Sequence, residues 1–329
     1  MRALVTGGAG FIGSHLVEAL LADGHDVRIM DDFSTGKREN LDEIKGDFEL
    51  HESDIRDLDA CRRACEGVQR VWHLGALGSV PRSVEDPLTT HEVNLTGTLN
   101  MLLAARDAGV QRLVFASSSS VYGANPELPR EETQHPMPMS PYATTKLAGE
   151  SYVEQFASLY AMETVVVRYF NVYGPRQDPA SQYAAVLPKF FSALMAGERP
   201  VIYGDGEQSR DFTYVADCVH GTLQAGFQEG EGIVGEHFNI AAGNPSTVNE
   251  LLAAVQNVLG VHIPADYQPP RPGDVRYSDA VIQKAVTRLD FKPKWTLESG
   301  ISKTAEWFDK RRSDAAAQGA GPVDSASPG

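Results

Sequence analysis

The chain has 329 residues, of which 44 are acidic and 29 basic, so its formal net charge is −15 at pH 7. This length allows one large domain or two small ones, with enough residues for a substantial core. The negative charge disfavours nucleic acid or an anionic membrane as partner, and no stretch approaches the roughly twenty apolar residues of a membrane span.

The first thirteen residues predict a strand, a glycine turn and the start of a helix. Ala3–Thr6 is a short apolar run, and a helical pattern of leucine and valine begins after Gly13. In the turn, Gly7 permits the tight bend, Gly10 lets backbone N–H groups approach phosphate oxygens, and Gly13 lets helix and strand pack closely. The pattern predicts a pyrophosphate site of a dinucleotide, formed by Gly7, Gly10, Phe11, Ile12 and Gly13.

The second predicted strand ends in Asp31, eighteen positions after the last glycine of the turn. A carboxylate at about this spacing accepts hydrogen bonds from the ribose hydroxyls of NAD and would repel the 2′-phosphate of NADP. Asp32 adds a second negative charge, and the nearest downstream cations, Lys37 and Arg38, come only after a turn. We therefore expect NAD as cofactor, with Asp31 and Asp32 at its ribose.

Strand and helix signals then alternate along the chain. The predicted strands are Val27–Met30, Asp47–His51, Val71–Leu74, Arg112–Ala116 and Thr164–Arg168, and the predicted helices are Leu58–Glu66, Asn94–Ala108 and Leu147–Tyr160. β-Branched strands that alternate with helices predict an α/β fold, namely a Rossmann-type doubly wound parallel sheet that binds ligands at the carboxyl ends of its strands.

Beyond Asn171, prolines and glycines interrupt this alternation, which predicts a smaller mixed α/β C-terminal substrate lobe. The final residues, from Ser313, are rich in small side chains without periodicity and predict a disordered tail. The expected boundaries are 1–174 for the NAD-binding domain with 214–240 returning to it, 175–213 and 241–312 for the substrate lobe, and 313–329 for the tail.

Candidate catalytic groups follow two of these elements. The strand that ends at Ala116 continues into Ser117–Ser120, and Tyr142 stands twenty-four residues after Ser118 at a helix start. Tyr142 and Lys146, four residues apart, would share one helix face above the carboxyl edge of the sheet. A tyrosine that acts as a base near pH 7 needs its pKa lowered by about three units. A neighbouring ammonium and a cationic nicotinamide would both favour the phenolate.

With these motifs the chain resembles the extended short-chain dehydrogenase/reductases, in the NAD-dependent sugar-nucleotide epimerase group that includes UDP-N-acetylglucosamine and UDP-glucose 4-epimerases. The resemblance extends from the glycine turn to Arg271–Asp274 and implies a triad of Ser118, Tyr142 and Lys146. Asn94 could instead be an ordinary helix start, and the residues at 74–76 could merely pack around a strand end. The further cofactor contacts that the resemblance implies are Asp31, Asp54, Ile55, Leu74, Gly75, Ala76, Asn94, Tyr142, Lys146 and Phe170.

The same resemblance implies a UDP-sugar site, and the residue types suit one. Arg210 and Arg271 offer planar cations to a diphosphate on a protein that is otherwise strongly negative. Asp274 can accept hydrogen bonds from ribose hydroxyls, and Tyr203 can stack on the base. The implied substrate-binding residues are Gly78, Ser79, Ser118, Asn171, Tyr203, Arg210, Arg271, Asp274 and Ser278.

The reaction that this resemblance implies is epimerisation at C4 through a 4-keto sugar. Dehydratases of the family carry an Asp-Glu pair where this chain has Ser119 and Ser120, which argues against loss of water. A UDP-glucuronate 4-epimerase or decarboxylase stays open. A non-catalytic NAD-binding scaffold is the alternative outside enzymes, but such proteins typically lose the tyrosine, the lysine or the glycines, and this chain retains all of them.

The choice of sugar is predicted from one position. In the C4-epimerases, the fourth residue after the aspartate of Arg-x-Gly-Asp acts as a gate: tyrosine restricts the pocket to glucose and galactose, and a small residue admits an N-acetyl group. That position is Ser278 here, although a shift of one residue would place Tyr277 there. The loop 78–83 also resembles the subgroup that prefers N-acetylated sugars. We expect UDP-N-acetylglucosamine and UDP-N-acetylgalactosamine, with UDP-glucose and UDP-galactose as the alternative.

The oligomeric state of the chain is predicted from the resemblance, and its cellular compartment from its cysteines. The resemblance implies a homodimer through the helices Asn94–Ala108 and Leu147–Tyr160, although Val153, Phe156 and Tyr160 could equally face the chain's own sheet. The three cysteines (Cys61, Cys65 and Cys218) form no disulfide framework and have no partners at zinc spacing, so we expect no metal and a reduced cytoplasm. Met1 leads directly into the first strand, and we expect no signal peptide before it.

Overall fold

The computed structural model describes residues 1–178, 186–270 and 276–317. Within these residues the largest element is a parallel sheet of seven strands. In chain order, the strands in the described residues are β1 Arg2–Thr6, β2 Asp26–Asp31, β3 Phe48–Glu52, β4 Arg70–His73, β5 Arg112–Ser118, β6 Glu163–Tyr169, β7 Val201–Tyr203, β8 Ser209–Arg210, β9 His237–Ile240, β10 Ser246–Thr247, β11 Asp266–Gln268 and β12 Tyr277–Ser278. The large sheet consists of β1–β6 and β9, and the other strands form two smaller sheets.

Helices connect these strands and cover both faces of the large sheet. The α-helices are α1 Phe11–Ala22, α2 Arg38–Asp42, α3 Leu58–Cys65, α4 Val80–Glu85, α5 Pro87–His91, α6 Gly97–Asp107, α7 Pro141–Tyr160, α8 Val186–Met195, α9 Val215–Phe227, α10 Val248–Leu259, α11 Gln283–Arg288 and α12 Leu297–Ala317. A π-helical turn, Glu92–Thr96, leads into α6, and a 3₁₀ turn, Ser119–Val121, follows β5.

The order of the strands places the ligand site. It runs β3-β2-β1-β4-β5-β6-β9, so the chain leaves β1 first to one side and then to the other. The gap between β1 and β4 is therefore the topological switch point, where doubly wound sheets bind ligands at the carboxyl ends of their strands. The fold class predicted from the alternation of strands and helices is confirmed.

Burial on both faces explains why the central strands β1, β5 and β6 are rich in apolar residues. Ala3, Leu4 and Val5 are fully buried in β1, with α1 and α9 packed on one face of the sheet and α3, α6 and α7 on the other. Each buried leucine or valine side chain contributes about 1.5–3 kcal/mol to the stability of the fold. The apolar faces of the crossover helices thus hold the sheet edge that carries the site.

Later segments add one strand to this sheet and build smaller sheets beside it. β9 pairs with β6, and α9 packs against β5 and β6, so this part of the chain contacts the large sheet as expected. β8 pairs with β10 and β12, β7 pairs with β11, and α8 and α12 pack against α10. Helix α12 runs to Ala317, whereas the predicted tail began at Ser313; residues 318–329 lie outside the described residues.

Two further features of the described residues bear on the sequence predictions. None of the helices in the described ranges is long and apolar enough to cross a bilayer. Cys61, Cys65 and Cys218 are buried free thiols, and burial raises the pKa of Cys61 and of Cys65 to about 12. In the same part of the chain, no three His, Cys, Asp or Glu side chains are grouped so that they could hold a metal ion.

Candidate active site

A cavity of about 1210 Å³ runs along the carboxyl ends of the central strands. Its volume exceeds the roughly 300–1,000 Å³ of most sites for one small ligand, so it has room for a dinucleotide and a sugar nucleotide together. The predicted site residues that line it are Gly7, Gly10, Phe11, Ile12, Gly13, Asp31, Asp32, Ile55, Leu74, Gly75, Ala76, Gly78, Ser79, Ser118, Tyr142, Lys146, Asn171, Arg210 and Ser278.

The glycine turn has the geometry of a phosphate cradle. Gly7 adopts a left-handed φ of +69°, and its N–H donates to Met30 O at 2.8 Å. A Cβ on Gly13 would lie 2.0 Å from Gly7 O, so only glycine lets α1 approach β1 this closely. Gly10 caps α1 without a side-chain hydrogen bond, which leaves N–H groups of the first turn for an anion. These observations fit a bound pyrophosphate.

The end of the cavity at Asp31 and Asp32, where we expect the ribose of NAD, is acidic, and hydrogen bonds hold Asp31 in place. We call it the ribose end. Asp31 is buried, and its two oxygens accept hydrogen bonds from the N–H groups of Ala9 and Phe33, both at 2.9 Å. Burial raises the pKa of Asp31, although these two hydrogen bonds oppose the rise. Lys37, the nearest downstream cation, forms an ion pair with Asp178 at 3.0 Å. A 2′-phosphate would meet carboxylates here, so the site fits NAD better than NADP.

The three predicted catalytic side chains meet where β5 ends. The buried amine of Lys146 donates to Ala116 O at 2.7 Å and lies 5.0 Å from the centre of the Phe115 ring. Ser118 Oγ accepts a hydrogen bond from Ser120 N at 3.2 Å, so its own hydroxyl hydrogen is free to be donated towards Tyr142. Burial lowers the pKa of Lys146 to about 8.

Burial is the main influence on the pKa of Tyr142 in the structure. Burial raises the pKa of Tyr142 above its usual value near 10, and the hydrogen bond with Ser118 only partly opposes this. Lys146 and a bound cationic nicotinamide were together expected to lower this pKa, and in the structure the amine of Lys146 is bound to the carbonyl of Ala116. The raised pKa of Tyr142 is caused by desolvation, because a buried phenolate loses the water that would stabilise its charge.

Local structure explains why Tyr142 lies so near the start of its helix. Ser140 caps α7 by accepting a hydrogen bond from Ala143 N at 3.1 Å, and Pro141 follows in the first position. Serine before a helical proline is a strong start signal. The helix therefore begins six residues before the predicted Leu147, and both Tyr142 and Lys146 lie within its first two turns.

Four predicted contacts lie elsewhere than in the cavity wall that the described residues form. Asp54 pairs with Arg56 at 2.6 Å, and Phe170 is fully buried against the ring of Tyr122. Tyr203 is 37% exposed on β7. Arg271 and Asp274 lie outside the described residues.

Asn94 is the fourth such residue, and its side chain has a different task from the expected cofactor contact. Its Oδ1 accepts from Leu77 N at 2.7 Å, and its Nδ2 donates to Thr145 Oγ1 at 3.2 Å. The side chain is buried within the π-helical turn. Asn94 therefore connects the loop after β4 to α7 beside Lys146, and its contact with NAD stays a prediction.

The cavity also includes residues that sequence reasoning missed. Ser120 is notable among them, because its Oγ is buried and has no hydrogen-bond partner among the described residues. A buried hydroxyl of this kind normally finds a partner, so it fits a wall that contacts a polar ligand. The sequence placed Ser119 and Ser120 where the family's dehydratases carry carboxylates, but it assigned neither of them a ligand contact. The other additions include Lys37, Ser53, Arg82, Arg130, Met139, Gln177 and Asp178.

Comparison with known proteins agrees with this geometry. Residues 3–241 match the family described as the NAD dependent epimerase/dehydratase family. A relative from Mycolicibacterium smegmatis, named UDP-glucose 4-epimerase, is 42% identical over 312 residues, which cover 94% of this chain and 98% of the relative.

Two solved structures are similarly close. A UDP-N-acetylglucosamine 4-epimerase from Methanobrevibacter ruminantium, in complex with UDP-N-acetylmuramic acid, has a TM-score of 0.89 and 40% identity, with 94% of this chain and 98% of that chain covered. A UDP-glucose 4-epimerase from Thermus thermophilus, in complex with NAD, has a TM-score of 0.85 and 39% identity, with 94% and 99% covered.

The resemblance inferred from the motifs is thereby confirmed, and the cofactor is NAD. The glycine turn, Asp31 and the Tyr142–Lys146 pair occupy one cavity, and they lie within the matched stretch. The match covers most of the chain, and the relatives are matched over almost their whole length. For these reasons the chain belongs to the NAD-dependent epimerase/dehydratase family.

Proposed function

We propose that this chain interconverts UDP-N-acetylglucosamine and UDP-N-acetylgalactosamine by epimerisation at C4. The observation that carries the choice of sugar is the orientation of β12. Ser278 pairs with Arg210 across β12 and β8, and both residues line the cavity. Tyr277 is 41% exposed, outside the described cavity wall, and its OH accepts from Arg276 Nε at 3.1 Å. Successive strand side chains point to opposite faces, which supports a small residue at the gate.

The proposed chemistry uses the three groups at the end of β5. Bound NAD supplies reversible hydride exchange at C4 of the sugar. Tyr142 takes the proton of the 4-hydroxyl group and later returns it, while Ser118 donates a hydrogen bond to the same oxygen. Lys146 would hold the nicotinamide ribose, and the positive charge of the bound nicotinamide would stabilise the Tyr142 phenolate. Between the two proton transfers the 4-keto sugar turns in the pocket and presents its other face.

The UDP part of the substrate must stay bound while the sugar turns. Arg210 lies where it could bind the diphosphate. It lines the cavity, and its guanidinium donates to the carbonyls of Ser209 at 2.8 Å and Arg276 at 3.2 Å, which orients it. Asn171 lines the cavity in a left-handed conformation with φ of +34°, which asparagine tolerates better than most residues. We assign the diphosphate to Arg210 and the predicted Arg271, and the uridine ribose to Asp274.

Loss of water is the less suitable reaction for this site. Elimination needs a positioned acid and base beside the reacting carbons. Ser119 and Ser120, on the 3₁₀ turn after β5, line the cavity where the family's dehydratases carry carboxylates. The carboxylates in the described part of the wall are Asp31, Asp32 and Asp178, which lie with Lys37 at the ribose end.

UDP-glucose and UDP-galactose are the second candidate pair, favoured by the name of the relative from Mycolicibacterium smegmatis. A pocket with room for an N-acetyl group also admits a hydroxyl group at C2. Initial rates of the purified protein on UDP-N-acetylglucosamine, UDP-glucose and UDP-glucuronate test the proposal. We expect the acetylated sugar to have the highest kcat/KM, and absence of product from it would refute the choice of sugar.

We propose that two copies pair through α6 and α7. Val153 and Phe156 are buried in the chain's own core, so we do not include them in this interface. The outer face of α7 still exposes Tyr152, Leu159 and Tyr160, and Leu99 and Leu103 on α6 are only partly buried. A second copy would cover these apolar side chains, as expected for an interface that includes aromatic residues.

Sedimentation velocity tests this pairing, and we expect twice the mass of one chain. Leu103→Glu should shift the protein towards the monomer, because it places a charge in an apolar interface. Val201→Glu, on the exposed strand β7, is the matched control and should leave the mass unchanged. A monomeric wild type, or a control that dissociates equally, would contradict the proposed interface.

A further inference from the structure

A buried ion pair lies behind the catalytic side chains and has no role in the chemistry described above. Glu150 on α7 is 1% exposed and Arg168 on β6 is 3% exposed. Arg168 donates to both carboxylate oxygens of Glu150, from Nε at 2.9 Å and from Nη2 at 2.7 Å. Arg168 also donates to Tyr122 OH at 3.0 Å, and Tyr122 OH donates to Asn239 at 2.7 Å. Every member of this network is held by directed hydrogen bonds.

The pair is attached to the same strand end that holds the catalytic lysine. Ala116 O accepts the hydrogen bond from Lys146 Nζ, and the hydroxyl of Ser117, the next residue, donates to Glu150 Oε1. Two consecutive residues of β5 therefore each bind one side chain of α7. A shift of α7 along β5 would break both contacts together.

Spacing on α7 places the carboxylate one turn from the lysine. Tyr142, Lys146 and Glu150 follow each other at intervals of four residues, so they share one face of the helix. This face approaches β5 closely, because a Cβ on Gly149 would lie 2.7 Å from the ring of Phe115. The lysine is therefore enclosed between the phenol on one side and the carboxylate on the other.

We propose that Glu150 is a positioning residue for Lys146: with Ser117 and Arg168 it fixes the register of α7 on β5 and places a carboxylate one helical turn from the buried amine. The proposal rests on the proposed function only for its activity measurement.

Charge and burial act on Lys146 in opposite directions. Burial lowers its pKa to about 8, and the carboxylate of Glu150 raises it. Replacing a buried ion pair by apolar residues is often neutral for stability, so stability alone does not account for a carboxylate at this place. The charged and titratable groups around Lys146 and Glu150 are Tyr142 and Glu154 on α7, His73 on β4, Arg168 on β6 and His237 on β9.

Loss of the Glu150 charge should lower the pKa of Lys146, because burial would then act on the amine without opposition. The amine is needed in its charged form, so activity falls as pH rises through the pKa of Lys146. Glu150→Gln keeps the size of the side chain and removes the charge that opposes burial, which lowers that pKa further. The alkaline limb of the kcat profile should then move down by about one pH unit, so that kcat at pH 8.5 falls about tenfold relative to wild type.

The experiment measures this shift twice on the holoenzyme. The first measurement is the pH profile of kcat, and the second is the titration of the Lys146 Cε resonance in ¹³C-lysine-labelled protein, assigned with Lys146→Arg. We expect both to move down in Glu150→Gln and to return towards wild type in Glu150→Asp, which retains the charge. The resonance needs no substrate, so a chain that turned over no UDP-hexose would refute the proposed function and leave this test intact.

Glu154→Gln is the matched control, because Glu154 lies one turn further along α7 and is largely exposed. It should leave both measurements unchanged. If Glu150→Gln does not fold, Glu150→Gln with Arg168→Gln removes both buried charges, and we expect a shift in the same direction, because Glu150 is the charged group that raises the pKa of Lys146. An unshifted resonance in whichever of these variants folds, or an equal shift in Glu154→Gln, would overturn the proposal.

Discussion

The Tyr142→Phe variant is expected to lose about a thousandfold or more in kcat while it keeps its fold and its NAD. The phenol is the group we assign to the 4-hydroxyl proton, and positioned acid–base groups typically contribute about 10²–10⁴-fold. Phenylalanine preserves the ring within the first turn of α7 and removes only the proton acceptor. Conversion of UDP-N-acetylglucosamine, followed by separation of the two epimers, measures the loss, and absorbance of released nucleotide measures the NAD content.

Tyr152→Phe provides a control on the same helix, because Tyr152 is exposed and outside the described cavity wall. It should behave as wild type in both measurements. If Tyr142→Phe retained more than about a tenth of the wild-type kcat, the proton would have to leave by another group, and the role assigned to Tyr142 would be wrong. Loss of NAD in this variant would instead show that the phenol mainly holds the cofactor.

The second large effect is expected at the gate. Ser278→Tyr should lower kcat/KM for UDP-N-acetylglucosamine by about a hundredfold and change that for UDP-glucose by less than about fivefold. A phenol ring in place of a hydroxymethyl group would fill the space beside C2, and overpacking of this kind costs about 1–3 kcal/mol. The penalty falls on the substrate with the larger C2 substituent, so the measurement is the ratio of the two kcat/KM values.

Tyr277→Ser separates the two possible registers of β12. Tyr277 is exposed and hydrogen-bonded to Arg276, so removal of its ring should leave the sugar preference unchanged. If Tyr277→Ser instead altered the preference and Ser278→Tyr did not, Tyr277 would be the gate. The choice of the acetylated sugar would then lose its main support.

Local features of the site were predictable from the order of residues. The glycine turn, Asp31 and the Tyr142–Lys146 spacing each depend on a strand, a turn or one face of a helix, and their chemistry is specified within a few positions. Repeated alternation of β-branched strands and helices likewise predicts the parallel sheet, because few other folds bury such strands on both faces. This is why fold, family and cofactor follow from the sequence.

Contacts between distant segments had to come from the tertiary structure. The amide of Asn94 is hydrogen-bonded to Leu77 and Thr145, which folding brings together from 17 and 51 residues away and which the sequence did not predict. Lys146 and a bound nicotinamide were expected to lower the pKa of Tyr142, and burial, which no short stretch of sequence encodes, acts in the opposite direction.

The sequence by itself predicted the groups that we assign to NAD binding and to proton transfer. Only the tertiary structure decided that Ser278 faces the cavity and Tyr277 faces away, since this depends on the pairing of β12 with β8. It also placed Glu150 beside Ser117 and Arg168, through a packing of α7 on β5 and β6. The physical reason is the same in both cases: side-chain spacing within an element is local, whereas register and desolvation depend on every element packed around the site.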